Sequence, residues 1–322
     1  MILHRLAAAC LLLAAAGCSG KPAAPQGFRV GLVTPGSIAD AAWNSGAYRG
    51  LEQVRDSLGV AVSHVEARTP AEQEEALRTY AAQHYDLVFG HGFEFQGPAE
   101  RVSAQYPGTV FIVTSGEKVQ GNVSPLIFRL KEASFLAGVV AGGMTKSKVI
   151  GFVGGIELPP IKEAEEAWVA GAKSVDPAIS ARSTYLNTFD DVAAGREATL
   201  ALLQAGADMF HHNADQAGLG VFQAVKESKA AYIFGANADQ SALAPERTLG
   251  SAIIDLPRAI LSVAREVKAG SFTPKVESFG LKSGVIRFEL NPATQQLIPA
   301  ALSERLTRAR DSIIATEGSA KP

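Results

Sequence analysis

The chain has 322 residues, 47% of them hydrophobic and 19% charged, enough to build one large core or two smaller ones. Its 30 Lys and Arg against 32 Asp and Glu leave a formal charge of -2, so there is no basic excess to bind a nucleic acid and no charge block to act as an interaction tail. With 2 Cys in the whole chain, a disulfide-stapled scaffold is excluded.

Met1–Arg5 provide a short cationic start, and Leu6–Ala16 an apolar run. Small residues then lead into Cys18 in the stretch "AAAGC". This reads as a signal peptide over 1–17, too short to serve as a spanning helix. The site resembles a bacterial lipoprotein cleavage site, with Ala15 where Leu is usual three residues before the Cys. The mature chain would then begin at a lipidated Cys18; the alternative is ordinary secretion with Cys18 as a bystander. Removal of Cys10 with the signal leaves Cys18 without an internal disulfide partner. "SGKPAAPQG" completes a flexible tether over 18–27. The folded part is therefore expected in the cell envelope, anchored through lipid to a bacterial membrane, on its periplasmic face in a Gram-negative host. No later apolar run is long enough to span a bilayer.

From Phe28 onward, apolar runs alternate with helix-like segments. "FRVGLVT" precedes a helix around Trp43–Leu58. "VAVSHVEA" precedes Pro70–Gln83, where Thr69 and Pro70 read as a helix start. "DLVFGHG" leads to a helix near Gln96–Gln105, and "TVFIVTSG" and "NVSPLIFRL" follow. A second round starts at Glu132. "KVIGFVGG" precedes Pro160–Val175, "ISARSTYL" precedes Val192–Ala205, "ADMFHH" precedes Gly218–Ser228, and "AYIFGAN" leads to "TLGSAII". This is an α/β pattern of parallel sheets with helices on both faces. Two lobes of about five strands each accommodate it more easily than one sheet of about ten.

Ligands of open parallel sheets sit beyond the carboxyl ends of the strands. Asp40, Trp43 and Asn44 stand where the first strand hands over to its helix, on one helix face. Trp43 could stack on a flat ring or pack in the core; Asn44 offers a donor and an acceptor to a ring edge. Asp40 could accept from a ring N–H or cap the helix. Gly90 and Gly92 would let backbone approach a ligand, with Phe93 as a second ring contact; His91 and Glu94 could join them or simply be solvated. In the second half, His212 and Asn213 end a strand, "NADQAG" turns into a helix at about Gly218, and Asn213, Asp215 or Gln216 could reach a sugar-like hydroxyl. Asn237 and Asp239 end another strand. His212 could close over the ring, or His211–His212 could be a strand pair with one ring buried. Adjacent His on a strand point to opposite faces, so no metal site is expected.

Several stretches together resemble the basic membrane lipoprotein family, the substrate-binding proteins of ABC importers, and within it the purine nucleoside receptor group. They are "IADAAWN" (38–44), "GHGFEFQ" (90–96), "KEASFLAGVVAG" (131–142), "GFVGGIELPPI" (151–161), "FHHNADQAGLGVFQA" (210–224) and "GANADQSALAPE" (235–246). The resemblance implies a two-lobed type I periplasmic binding protein fold with a three-crossing hinge, near 128–130, 254–256 and 280–282. The lobes would be 28–129 plus 256–280 and 130–255 plus 281–316, followed by a tail over 317–322. It further implies a nucleoside-like solute in the cleft, an aromatic at Trp43 stacking on the base, a permease and an ATPase as partners, a monomer, and no cofactor. The nucleoside receptors carry Asp at the place of Asn237 and a Lys near that of Ile254 or Asp255; this chain has neither, and Asp255 could replace part of that ribose clamp.

No GxSxG, HExxH, P-loop or CxxC is present, so an enzyme is not expected. A ligand sensor reporting to another surface protein and a nucleoside hydrolase are the rival readings.

Overall fold

The computed structural model describes residues 27–40 and 42–316; the signal peptide, Cys18, all of the tether but Gly27, and the 317–322 tail lie outside the described residues. In chain order the first half runs β1 (Arg29–Thr34), α1 (Trp43–Leu58), β2 (Ala61–Glu66), α2 (Pro70–Ala82), β3 (Leu87–His91), α3 (Gln96–Ser103), β4 (Val110–Thr114) and β5 (Val123–Phe128). The second runs α4 (Leu130–Met144), β6 (Val149–Gly154), α5 (Pro159–Val175), β7 (Ser180–Tyr185), α6 (Val192–Gln204), β8 (Met209–Asn213), α7 (Gly218–Ser228), β9 (Tyr232–Asn237) and β10 (Thr248–Ile254). Then come α8 (Leu256–Lys268), β11 (Glu277–Phe279), β12 (Ile286–Leu290) and α9 (Ala300–Thr316).

Local chemistry explains the boundaries. At α2, Thr69 accepts from the Glu72 N–H and Glu72 reaches back to the Thr69 N–H, with Pro70 preset in the first turn. Asp191 caps α6 and Asp255 caps α8 by accepting from Ala194 N–H and Arg258 N–H. The central strands β1, β3 and β8 are buried on both faces, which is why they read as unbroken apolar runs, whereas β2 and β7 are edge strands with exposed residues.

The strands form two six-stranded sheets, ordered β11-β5-β4-β3-β1-β2 and β12-β10-β9-β8-β6-β7. The first is parallel throughout, and in the second only β12 runs antiparallel, against β10. Each sheet thus has one strand more than the alternation predicts. Those extra strands, β11 and β12, are short or half-exposed and carry no apolar run of their own. The chain passes between the sheets three times: after β5, after β10 and between β11 and β12. α8 returns to the first sheet, packing Leu256 and Ile260 into the space above Gly46 and Gly50 of α1.

In the second half, α4 and α5 cross closely. A Cβ on Gly138 would stand 2.1 Å from the Trp168 carbonyl oxygen, and one on Gly171 would stand 2.1 Å from that of Phe135. Backbone cannot yield there, so Gly138→Val is expected to lower unfolding stability by at least about 2 kcal/mol, as read by urea denaturation. A loss below about 0.5 kcal/mol would mean that the two helices separate at little cost.

Candidate functional site

The carboxyl ends of both sheets face one another across a cleft with two communicating chambers. Counted out to open solvent, the inner one spans about 580 Å³ and the outer about 930 Å³, and Pro35, Glu94, Leu158, Phe189 and Asp215 border both. Strand tips from both sheets build the inner wall: Gly92 and Phe93 after β3, Ser115 after β4, Phe128 at the end of β5, Asn213 and Asp215 around the end of β8, Asn237 at that of β9 and Ile254 at that of β10. Ser115, Asp215 and Asn237 hold left-handed backbone, with φ of 56°, 45° and 65°. Such conformations are uncommon for residues with a Cβ and concentrate at functional sites.

The structure brings Trp43, Gly92, Phe93, Asn213, Asp215 and Asn237 to the inner chamber and Asp40 and Asn44 to the outer. Trp43 stacks on His91 with ring centroids 4.0 Å apart and meets Phe128 edge-on at 6.2 Å. His91 is fully buried: Nε2–H donates to the Trp43 carbonyl at 3.1 Å, and Nδ1 accepts from the Thr114 hydroxyl at 2.9 Å. Burial lowers its pKa to about 3, against a weaker opposing pull from the Trp43 carbonyl. His91 is therefore a neutral prop beneath Trp43, not a solvated side chain.

Asp40 is spent on the start of α1. Its carboxylate accepts from the N–H groups of Ala42, Asn44 and Ser45 at 3.1, 2.5 and 2.9 Å, which satisfies donors that a helix start leaves free. Of the two readings of Asp40, the geometry supplies the cap. Asn44 is 4% exposed, and its Oδ1 has no hydrogen-bond partner in the protein.

Glu94 lines both chambers and is half-buried between the cleft walls. Burial pushes its carboxyl up to about 7, opposed by its own backbone N–H. Burial pushes Asp215 well above the ordinary carboxylate range, and the nearby Asp40 and Glu94 push it further. Asn237 Nδ2 lies 3.3 Å from Asn213 Oδ1 and 3.4 Å from Asp215 Oδ1, so the three polar tips of the second sheet form one cluster.

Five expected residues lie elsewhere. His212 does not reach either chamber: it is 1% exposed, its Nε2 bonds Gln240 Oε1 at 2.9 Å, and its ring occupies the space over Gly218 and meets Phe222 edge-on. Gly218 is consequently a seat for that ring. His211, on the opposite face, packs on Trp168 and bonds Ser134 and the Phe234 carbonyl, so both rings are buried. Helices cover both faces of this sheet, so the cleft is reached by the last residue of a ladder and by residues beyond it, not by one a step earlier. Asp239 is exposed and caps a turn through the Ser241 N–H at 3.0 Å. Asp255 caps α8 and pairs with Arg287 at 3.1 Å, away from both chambers. Gly90, too, makes room for the Phe95 ring, not for a ligand.

Sequence reasoning missed Phe128, Phe189, Leu158 and Ser115 as lining residues. Ser115 and Phe128 follow from the strand-tip rule applied to "TVFIVTSG" and "NVSPLIFRL". Phe189 sits in the loop after β7, its ring laid over Gly155. Across the cleft mouth, Arg68 from the first half pairs with Asp190 from the second at 2.7 Å, and Arg68 also holds Glu66 at 2.6 Å. Among the described residues no group of His, Cys, Asp and Glu has the arrangement of a metal centre. No helix there is long and apolar enough to cross a membrane.

Two parallel sheets joined by three crossings, with a chamber between their carboxyl tips, define a two-lobed binding protein of the type I periplasmic class. The chain belongs to the family of PnrA-like ABC transporter substrate-binding proteins, whose family model matches residues 28–321. It is 30% identical to basic membrane protein A2 of Borrelia garinii over 310 residues, covering 93% of this chain and 90% of that one. It is 28% identical to the ABC transporter nucleoside-binding protein BmpA of Lactococcus lactis, over 88% of this chain and 87% of the relative. In fold it matches an ABC transporter solute-binding protein of Aeropyrum pernix with a TM-score of 0.83 at 23% identity, covering 90% and 92% of the two chains. A solute-binding protein of Conexibacter woesei matches with a TM-score of 0.72 at 25% identity, covering 92% and 98%.

Proposed function

We propose that this protein captures a nucleoside-like or other small ring-bearing solute between its lobes and delivers it to an ABC permease and its ATPase, as a monomer and without catalysis. The observation that carries the reading is the inner chamber itself: Trp43, Phe93, Phe128 and Phe189 supply ring faces, and Asn213 and Asn237 supply edge hydrogen bonds. The name of the Lactococcus lactis relative supports the ligand class. The lobes of this reading are 28–129 plus 256–280 and 130–255 plus 281–316, hinged at the three crossings, and ligand closes them over its ring.

A thermal-shift screen with nucleobases, nucleosides and other ring compounds tests it. A ligand at about a hundred times its Kd adds about 2.7 kcal/mol to stability. Stabilisation by none of them would refute the reading.

Lipidation at Cys18 places the receptor at the membrane in this account. Cys18→Ser is expected to move the protein from the membrane fraction to the soluble envelope fraction and to abolish incorporation of labelled palmitate. Unchanged membrane association would show that another feature anchors it.

A further inference from the structure

The inner chamber is walled by aromatic and aliphatic side chains, yet two carboxyl groups, Glu94 and Asp215, open onto it, and among the described residues none that lines it is Lys, Arg or His. The cation bordering the outer chamber, Arg68, is at the rim and already held by Glu66 and Asp190. Asp40 and Asp190 bring the acidic groups of the outer chamber to four; Asp190 is held by Arg68, and Asp40 is met only by backbone N–H donors. Asp215 receives one long contact from the Asn237 amide at 3.4 Å, and Glu94 has its own backbone N–H. Independently of these acids, the Asn44 Oδ1 is buried at the outer chamber with no donor in the protein. With the carboxyls ionised, every one of these groups accepts, and closing the lobes removes the water that would otherwise satisfy them.

We propose that the solute carries a positive charge on or beside its ring, an aromatic amine held as a cation, with Glu94 and Asp215 as its counter-charges and the ring faces of Trp43 and Phe189 around it. A cation would offset the desolvation of two carboxylates in one apolar chamber and gain from aromatic faces. Burial raises both acids, and a cation beside them would favour their charged forms. This inference rests on the proposed capture of a ring-bearing solute.

The test uses matched pairs that differ in charge: 1-methylnicotinamide against nicotinamide, and 1-methyladenosine against adenosine, titrated calorimetrically into the purified protein near neutral pH. The cationic member is expected to bind at least tenfold more tightly in one pair or both, with the order reversed in neither. Asp215→Asn, and separately Glu94→Gln, should cut that preference to below threefold. Equal or tighter binding of the neutral members would overturn the inference and leave the ring-capture reading standing. A cation preference unchanged in both variants would overturn it as well. If none of the ring compounds binds, the capture reading falls, and this inference with it.

Discussion

Trp43→Ala is expected to lower affinity for any ring-bearing solute by at least a hundredfold, about 2.7 kcal/mol, measured by calorimetric titration. Trp43 gives the chamber its largest flat surface, and its orientation is fixed from below by the stacked His91 ring at 4.0 Å and the Phe128 edge. Aromatic burial and stacking together supply contributions of this size. The same change removes a half-buried ring that packs against the first lobe's core, so some loss of folding stability accompanies it. Trp43→Phe separates the two effects: a smaller ring keeps a stacking face, and its affinity should fall no more than about tenfold. An unchanged Kd in a folded Trp43→Ala protein would remove the stacking assignment.

The second large effect is in the pH dependence of stability. Burial holds His91 and His211 at about 3 and His212 at about 4, far below their ordinary 6.5. Between about pH 6.5 and 4.5 the unfolded chain therefore takes up three protons that the native state refuses, and stability falls as pH falls. His64, half-buried, shifts in the same direction. Glu94 and Asp215 have the opposite sign: their folded pKa values are raised, so they favour the native state at low pH and lose that contribution as pH rises toward about 7 for Glu94. The two acids partly offset the three histidines, so stability falls with falling pH less steeply than the histidines alone would give. The double variant Glu94→Gln, Asp215→Asn removes the opposition, and the slope should steepen toward about 4 kcal/mol per unit. Urea unfolding at steps between pH 4.5 and 6.5 reads both slopes. Equal slopes for wild type and double variant would show that the two acids are ionised in the empty protein.

Most of the fold was legible because each signal was redundant. The start of α2 was marked by Thr69, Pro70 and Glu72 together, and the inner strands by apolar runs that only doubly covered strands need. The last quarter was less legible. β11 and β12 are edge strands with polar or half-exposed residues, and their places depend on partners far away in sequence, Leu126–Phe128 for one and Gly250–Ile254 for the other.

The site was half legible for a related reason. The strand-tip rule reaches Trp43, Phe93, Asn213 and Asn237, because a ladder's last residue has little choice but to face the cleft. It misplaced His212 by a single residue. One step before the tip the side chain still lies under a helix, and there Gly218 makes room for its ring. It passed over Phe189, whose β7 strand is polar and whose loop, "NTFDD", carries no motif. Charge was harder still: Glu94 and Asp215 acquire their character only when two lobes enclose them, and no local pattern encodes that.

A crystal structure of the protein with a ring compound selected by the thermal screen tests the central claim most directly. Planar density should lie in the inner chamber against Trp43, with its edge hydrogen-bonded to Asn213 or Asn237. Density at any other surface, with that chamber holding only water, would contradict it.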